Sequence, residues 1–411
     1  MLKWTTAGES HGPALVASLE GAPAGILVST ALIAEALAER RLGYGRGPRQ
    51  QFEKDRVDIL TGVRHGRTTG APITIVIHNS EWPKWEAVMS ADPVPQEALL
   101  VDAGRGDVRE MARNKPLTRP RPGHADLAGV LSYRQEDARN ILERASARET
   151  AARVALGAVA KQLLHQVCGT EIVSHVVSIG QASVRAVPLP TPADYDQLRA
   201  SPVRTLGARA EEAFIKAIDE AEENQETIGG VAEVIAYNVP VGLGSHVSSD
   251  RKLDAAIAWA LMSIQSAKAV EIGDGFETVA SPGSAAHDEI VRQDGAITRS
   301  SNRAGGIEGG TSNGQPIVAR VGFKPISTVP RALPSVDLAT GEASSAFHQR
   351  SDTCQVVPGA VIAEAMVALV LAQALTDRFG GASVEEVRAQ FDLQEAYVSS
   401  RLRIKQEGES S

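Results

Sequence analysis

Apolar and polar positions along the chain predict a mixture of helices and strands. The first residues alternate short apolar runs with glycine-rich turns, which is typical of strands, and the β-branched run Ile73–His78 predicts another strand. Ser29 is a candidate N-cap for a helix over 30–42, which a glycine-rich loop ends. Further helices are predicted at 135–167, 209–224, 250–269 and 358–378, and further strands near 171–186, 230–239 and 316–323.

These elements do not follow the strict strand–helix–strand rhythm of a doubly wound sheet, so they predict an α+β fold. No charge run, linker or short repeat divides the chain, which favours one large domain over 1–380. Residues 381–411 are expected to form a C-terminal helix and a disordered tail from 404 onward. The segment 79–122 holds six prolines and is predicted to be a long irregular loop, and loops of that length are commonly functional or mobile.

The most apolar stretch, 359–375, is shorter than the roughly 20 residues that span a membrane, and Glu364 interrupts it. We expect a buried core helix there and no contact with a membrane. The first residues lack the apolar core of a signal peptide. Two cysteines, Cys168 and Cys354, are too few for a disulfide framework. Together these features predict a cytoplasmic protein.

The net charge of −8 argues against a nucleic-acid-binding protein, but arginine is unevenly distributed. Residues 40–49 hold four arginines and no acid, and residues 105–121 hold six basic residues against two acidic ones. Arginine gathered in glycine- and proline-rich segments of an acidic protein favours a small anion-binding site over a solvated basic face. Phosphate-binding loops, dinucleotide fingerprints and the HExxH and CxxC motifs are all absent from the sequence.

Two motifs place histidines where they could act as acids or bases. GESHG at 8–12 sets His11 on a tight turn, although a turn whose histidine caps a carbonyl explains the pentapeptide equally well. RPRPGHAD at 119–126 stiffens the backbone around Arg121 and His124, which suits binding of phosphate followed by its protonation. A basic surface loop is the alternative interpretation of this second motif.

Four later segments add weaker indications. In RASARET at 144–150, Arg144 and Arg148 are four residues apart and would share one helix face. Residues 300–314 contain five glycines, which favours either backbone contact with a ligand or a flexible linker. KPIST at 324–328 and RSDTC at 350–354 follow. None of these four segments is specific for a function alone. The order and co-occurrence of all six motifs, including the two histidine motifs, are far more specific.

In that order the six motifs resemble the chorismate synthase family, and the resemblance covers about residues 3–378. It implies a β-α-β sandwich fold with internal pseudo-symmetry and a homotetrameric assembly. It also implies a lyase that uses reduced FMN to convert 5-enolpyruvylshikimate 3-phosphate into chorismate and phosphate. This 1,4-anti-elimination involves no net redox change, since reduced flavin donates an electron transiently and recovers it. No part of the chain resembles a flavin reductase, so an external reductant is expected.

The resemblance also implies roles for individual residues. His124 would protonate the departing phosphate, His11 would protonate or stabilise the reduced flavin, and Asp352 would assist proton removal through the flavin N5. Arg40, Arg46, Arg49 and Arg121 would bind substrate phosphate and carboxylates, although the first two are alternatively assigned to a nicotinamide nucleotide (NADP). Arg350 would also join these anion-binding residues. The residues that would contact the flavin are Arg144, Ala145, Ser146, Gln265, Ser266, Gly309, Lys324, Pro325, Ile326, Ser327, Thr328 and Arg350.

Arg303 departs from the family pattern, which commonly has asparagine there, and 79–114 is longer than in the shortest members. Two other functions stay open at this point: a different flavin-dependent or phosphate-eliminating enzyme, and an anion-binding protein without catalysis. Retention of His11, His124 and Asp352 argues against the second. A substrate with two carboxylates and a phosphate accounts for the arginine content better than a monophosphate does.

Overall fold

Two antiparallel sheets enclose a layer of helices. The computed structural model describes residues 2–47, 56–95, 99, 115–184, 189–347 and 352–403. The strands are β1 Lys3–Ala7, β2 Ala14–Glu20, β3 Val57–Thr61, β4 Val63–Arg64, β5 Arg67–Thr68, β6 Ile73–His78, β7 Glu171–Ile179, β8 Ala182–Ser183, β9 Gly230–Tyr237, β10 Ala267–Ile272, β11 Ile290–Gln293, β12 Ala296–Arg299, β13 Ile307–Glu308, β14 Thr311–Ser312, β15 Ile317–Phe323, β16 Pro334–Val336 and β17 Ala343–Ser345. The helices are α1 Thr30–Arg41, α2 Asp126–Tyr133, α3 Arg139–Ala145, α4 Thr150–Cys168, α5 Tyr195–Ala200, α6 Ala208–Glu223, α7 Leu253–Met262, α8 Phe276–Ala280, α9 Gly283–Ala286, α10 Val356–Phe379 and α11 Val384–Leu402.

The first sheet has the strand order β1-β2-β6-β3, and each neighbouring pair is antiparallel. Its strands alternate buried and less buried positions, because successive side chains of a strand point to opposite faces. Ile73, Ile75 and Ile77 of β6 are each 0% exposed, on the face that α4 covers. The second sheet has the order β10-β15-β9-β7-β8 and packs its inner face against α10. The fold is therefore the β-α-β sandwich that the resemblance predicts.

The helical layer consists mainly of α4 and α10, with α1 beside them. Alanine and glycine let α4 and α10 approach closely: a Cβ atom built on Gly157 would lie 2.3 Å from Cβ of Ala365. Helix α10 is long and apolar enough to cross a membrane, but 89% of its most apolar window is buried inside the protein. Glu364, near the middle of this helix, is fully buried and pairs with Lys161 and Arg204. The predicted core helix is thereby confirmed.

Several sequence predictions are confirmed and two are wrong. Ser29 caps α1 by accepting a hydrogen bond from the backbone N–H of Leu32. The predicted helix over 135–167 is instead divided into α3, a 3₁₀ turn at Ala147–Glu149 and α4. The predicted helix over 250–269 ends at Met262, and 267–272 forms β10 because those residues pair with β15. The domain boundary at 380 stays a prediction, and the predicted tail at 404–411 lies outside the described residues.

Candidate active site

A cavity of about 520 Å³ opens where seven segments of the chain meet beside the helical layer. They are the β1–β2 turn, the end of α1, the loop before α2, the α3–α4 junction, the loop before β10, the loop after β15 and the start of α10. A pocket of this volume is typical of small-molecule sites. Most sequence-predicted site residues that the structure describes line it: His11, Arg40, Arg46, Arg121, His124, Ala145, Ser146, Gln265, Ser266, Lys324, Ile326, Ser327, Thr328 and Asp352.

His11 is held on three sides. Its Nδ1 lies 2.9 and 3.0 Å from the two carboxylate oxygens of Glu143, and its backbone N–H donates to Glu143 Oε2 at 2.8 Å. The Glu143 side chain is 0% exposed. The ring also stacks on Trp85, with 3.9 Å between ring centroids and 28° between planes. The β1–β2 turn therefore presents an imidazole of fixed orientation to the cavity, rather than one that merely caps a carbonyl.

His124 belongs to a buried triad with Asp126 and Arg121. Its Nδ1 lies 2.6 Å from Asp126 Oδ1, and the Arg121 Nε donates to Asp126 Oδ2 at 2.8 Å. Burial alone would raise the pKa of the Asp126 carboxyl. Hydrogen bonds and charges from His124 and Arg121 outweigh burial and hold this pKa well below its usual range. Asp126 is therefore an ionised acceptor that orients both partners toward the cavity.

Asp352 faces the cavity from the chain segment just before α10. Its Oδ2 lies 3.0 Å from a guanidinium nitrogen of Arg46, and its Oδ1 accepts the Gly47 N–H at 2.8 Å. The Arg46 and Asp352 side chains are 10% and 19% exposed, respectively. This contact fixes the loop after α1 to the start of α10, so that a carboxylate and an arginine lie side by side at the cavity wall.

The α3–α4 junction supplies one further cation, Arg148, and the end of α1 supplies another, Arg40. Ser146 adopts an extended backbone between α3 and the 3₁₀ turn, where its Oγ accepts a hydrogen bond from the Arg148 N–H. Because of this break, Arg144 and Arg148 do not share a helix face, contrary to the sequence prediction. Arg148 is 8% exposed and lines the cavity. Arg40 lies alongside, with its Nε donating to Thr150 Oγ1 at 2.9 Å.

The loops before β10 and after β15 form another part of the cavity wall. Lys324 donates from Nζ to the Gly123 carbonyl at 2.7 Å, and its pKa is lowered by burial and by the nearby Lys268. Gln265 donates from Nε2 to Glu149 at 3.0 Å, whereas its Oε1 is buried without a partner among the described residues. The Nε2 of Gln355 is also buried without a partner in that part of the chain. Two amide atoms at the cavity thus have unused hydrogen-bonding capacity.

Three predicted site residues do not line this cavity. The Arg144 guanidinium donates to the carbonyls of Thr6 and Gly8 at 2.9 and 3.0 Å. Gly309 lies between β13 and β14, and Pro325 is not among the residues that line the cavity, although both its neighbours are. Arg49 and Arg350 lie outside the described residues. Arg303, the departure from the family pattern, lies 3.6 Å from Asp274 and does not line this cavity.

Sequence reasoning missed Glu143, Asp126, Arg148 and Gln355 as parts of the site. Asp126 follows His124 by two residues, and that spacing was a usable signal. Glu143 stands next to the RASARET motif and Arg148 stands within it, but their inward orientation depends on the break at Ser146, which helix propensity does not indicate. No local pattern distinguishes Gln355 from other polar residues before an apolar helix.

Comparisons with known proteins show the family to which the chain belongs. The family model described as chorismate synthase matches residues 2–376. The chain is 58% identical over 387 residues to chorismate synthase from Streptomyces avermitilis, covering 94% of this chain and 96% of the relative. It is 58% identical over 403 residues to the enzyme of Bifidobacterium animalis subsp. lactis, covering 97% and 98%.

A solved crystal structure of chorismate synthase superimposes with a TM-score of 0.74 at 40% identity, covering 97% of this chain and 98% of that chain. Family, relatives and fold therefore agree over nearly the whole length. The chain belongs to the chorismate synthase family, phosphate-eliminating lyases that convert 5-enolpyruvylshikimate 3-phosphate into chorismate.

Proposed function

We propose that the 520 Å³ cavity is the active site of this elimination and that its residues act either on protons or on anions. The observation that carries the proposal is the meeting of His11 and His124, from distant segments of the chain, on one cavity with three of the predicted arginines. A protein that only bound anions would need the arginines but neither buried histidine–carboxylate pair. Catalysis therefore explains more of the arrangement than binding does.

In the elimination, the ring loses a proton, the bond from a ring carbon to the phosphate oxygen breaks, and phosphate departs. We assign His124 to protonation of the departing phosphate. A general acid must be oriented and must recover its proton, and the contact between His124 Nδ1 and Asp126 at 2.6 Å orients the ring. Arg121, bound to the same carboxylate, lies beside His124 where it would stabilise negative charge on the leaving group.

Asp352 is the group that we assign to assistance in removing the ring proton. Its carboxylate is an acceptor at the cavity wall, and the Gly47 N–H and Arg46 hold it in place at 2.8 and 3.0 Å. Asp352 comes from a later segment of the chain than His11 and His124. In this proposal, proton removal and proton donation therefore fall to different side chains.

The basic residues form an anion cradle, comprising Arg40, Arg46, Arg121, Arg148 and Lys324. The substrate carries two carboxylates and a phosphate, and buried anions are costly unless cations pair with them. Arg40 is 5% exposed and is tied to Thr150 and to the Ala147 carbonyl inside the cavity wall. That position supports a contact with substrate rather than with NADP bound at the protein surface.

We further propose reduced FMN as the cofactor, since buried amide atoms at the cavity fit a flavin. Gln265 and Gln355 offer buried amide atoms without partners in the described part of the chain, and a ring system with several polar atoms would satisfy them. Ala145, Ser146, Gln265, Ser266, Lys324 and Ile326–Thr328 are the residues that would hold it. When bound, reduced flavin supplies the transient electron that helps to expel phosphate. His11 would face it with a fixed imidazole.

The remaining features of the proposed function concern the cellular setting. We propose a cytoplasmic homotetramer that receives reduced flavin from an external reductant. Exposed apolar side chains on several elements support assembly, among them Trp259, Phe276 and Ile290 at 65%, 74% and 72%. Both cysteines are free thiols, which supports a reducing compartment. Light scattering coupled to gel filtration tests the tetramer, and a monomer at micromolar concentration would contradict it.

The function is tested by incubating the purified protein anaerobically with reduced FMN and 5-enolpyruvylshikimate 3-phosphate while phosphate and chorismate are measured. We expect equal amounts of both products and no net oxidation of the flavin. A matched reaction with oxidised FMN is expected to give neither product. Absence of phosphate release under reducing conditions would contradict the proposal.

A further inference from the structure

Glu143 is a buried acidic residue beside the cavity. No role has yet been given to it. It lies on α3, and its side chain is 0% exposed. Its side chain makes three described contacts to the β1–β2 turn, all to His11: two from carboxylate oxygens to Nδ1 and one from Oε2 to the backbone N–H. Its backbone carbonyl also accepts the Ser10 N–H at 3.0 Å. A buried carboxylate with two oxygens directed at one residue specifies more than the position of the turn.

A guanidinium group lies close to this pair. Arg139, one helical turn before Glu143, places a guanidinium nitrogen 3.9 Å from Oε1, and its own side chain is 7% exposed. The same guanidinium lies 5.5 Å over the Trp85 ring, whose plane stacks on His11. An ionised carboxylate has no proton to donate, so the hydrogen bond at Nδ1 requires the proton to reside on the imidazole.

We propose that Glu143 is a positioning residue that holds the His11 proton on Nδ1 and fixes the ring plane, so that Nε2 is the nitrogen that exchanges protons in the cavity. This inference deepens the proposed role of His11 and rests on it. Orientation of a catalytic imidazole by a carboxylate at the opposite nitrogen is an established physical device, and it acts by selecting one tautomer. Here Trp85 supplies the second restraint, on the face of the ring.

Glu143→Gln tests the proposal because an amide has one acceptor oxygen where the carboxylate has two. The backbone N–H of His11 cannot reverse its polarity, so it retains the amide oxygen at the Oε2 position. The NH₂ group then takes the Oε1 position, 2.9 Å from Nδ1, whereas the oxygen lies 3.0 Å from it. We expect neutral His11 to change to the tautomer with the proton on Nε2. ¹⁵N NMR of histidine-labelled full-length protein reports this directly, with the His11 signal assigned by its absence in His11→Asn.

Turnover gives the second measurement. We expect Glu143→Gln to lower kcat by roughly 100-fold or more, the range of a general acid or base, with little change in KM. In a His11→Ala background the same substitution is expected to cost almost nothing further, because the residue through which it acts has gone. Glu143→Asp keeps the charge, and we expect it to keep the Nδ1–H tautomer and to recover part of kcat.

Glu233→Gln is the matched control. Glu233 is also buried, at 2% exposure, and its Oε1 also lies 2.8 Å from a histidine, His175, but this pair does not line the active-site cavity. We expect it to leave the His11 signal and the flavin-dependent kcat unchanged.

Two results would overturn the proposal: an unchanged His11 tautomer in Glu143→Gln, or an equal loss of kcat with and without His11. If Glu143→Gln does not fold, loss of the Nδ1–H tautomer in Glu143→Asp would overturn it equally. Full activity of His11→Ala would instead refute the role of His11. The NMR measurement, which needs no turnover, would still test Glu143, so the two failures are distinguishable.

Discussion

Replacement of Asp126 by asparagine is the perturbation whose magnitude the structure defines best. Asp126 is 0% exposed and accepts three hydrogen bonds from Arg121. The donors are Nε at 2.8 Å, Nη2 at 3.1 Å and the backbone N–H at 3.1 Å. His124 contributes a fourth contact at 2.6 Å. Asparagine keeps the volume but removes the charge and offers only one acceptor oxygen. The Arg121 guanidinium, in a side chain 5% exposed, would then stay buried without the Asp126 carboxylate.

Breaking a buried ion pair by removal of one partner costs about 3–5 kcal/mol, so we expect Asp126→Asn to lower the free energy of unfolding by that amount at pH 7. Urea denaturation at a fixed protein concentration, followed by circular dichroism, measures it. The pKa of Asp126 is lowered in the folded protein, so its contribution is complete above its unfolded pKa of roughly 3.9 and is lost as pH falls through the lower folded value. The difference between wild type and variant is therefore expected to narrow below about pH 4.

Asp58→Asn is the control, because Asp58 also contacts a histidine and an arginine, His78 at 2.6 Å and Arg56 at 3.2 Å, but its side chain is 44% exposed. Solvent screening makes such exposed pairs weak, so we expect only a small fraction of the loss seen at Asp126. If both variants lose the same stability, or if Asp126→Asn loses less than about 1 kcal/mol, the reasoning from burial is refuted.

Two further predictions concern binding and packing. Arg148→Gln is expected to raise the substrate KM by roughly 10- to 100-fold, because the cradle loses a charged hydrogen-bond donor. Arg144→Gln is expected to raise KM less, because the Arg144 guanidinium bonds backbone carbonyls. Steady-state kinetics of the two variants tests this difference. Gly157→Ala would force a Cβ atom to within 2.3 Å of Cβ of Ala365, so we expect it to lower the free energy of unfolding by about 1–3 kcal/mol and to lower the calorimetric Tm. Gly283→Ala is the control: no atom lies within 4 Å of its new Cβ, so the Tm should not change.

Local signals explain which elements the sequence predicts well. Helix α1 begins at a serine cap and ends before a glycine-rich loop, so its limits are encoded within a few residues. Helix α10 is a long apolar run, and the prediction of a buried helix needs no knowledge of its neighbours. In both cases the residues that determine the element lie inside it or directly beside it.

Tertiary contacts explain the two errors. Ser146 interrupts a stretch of good helix formers, because its hydroxyl caps the Arg148 N–H and lies 3.2 Å from the hydroxyl of Ser10 on another segment. Residues 267–272 form a strand because β15 provides a pairing edge that no local pattern reveals. The same limit applies to the site: the histidines stand out as motifs, whereas Glu143 acquires meaning only when α3 meets the β1–β2 turn.

The central claim is that His124 acts on the departing phosphate within the cavity, and His124→Ala tests it most directly. We would measure single-turnover phosphate release with reduced FMN alongside the dissociation constant of the substrate, with His287→Ala, an exposed histidine that does not line the cavity, as control. An acid that protonates the leaving group acts mainly in the transition state. The account predicts that release slows by roughly 100-fold or more while the dissociation constant changes only slightly. Equal losses of release and of binding would contradict it.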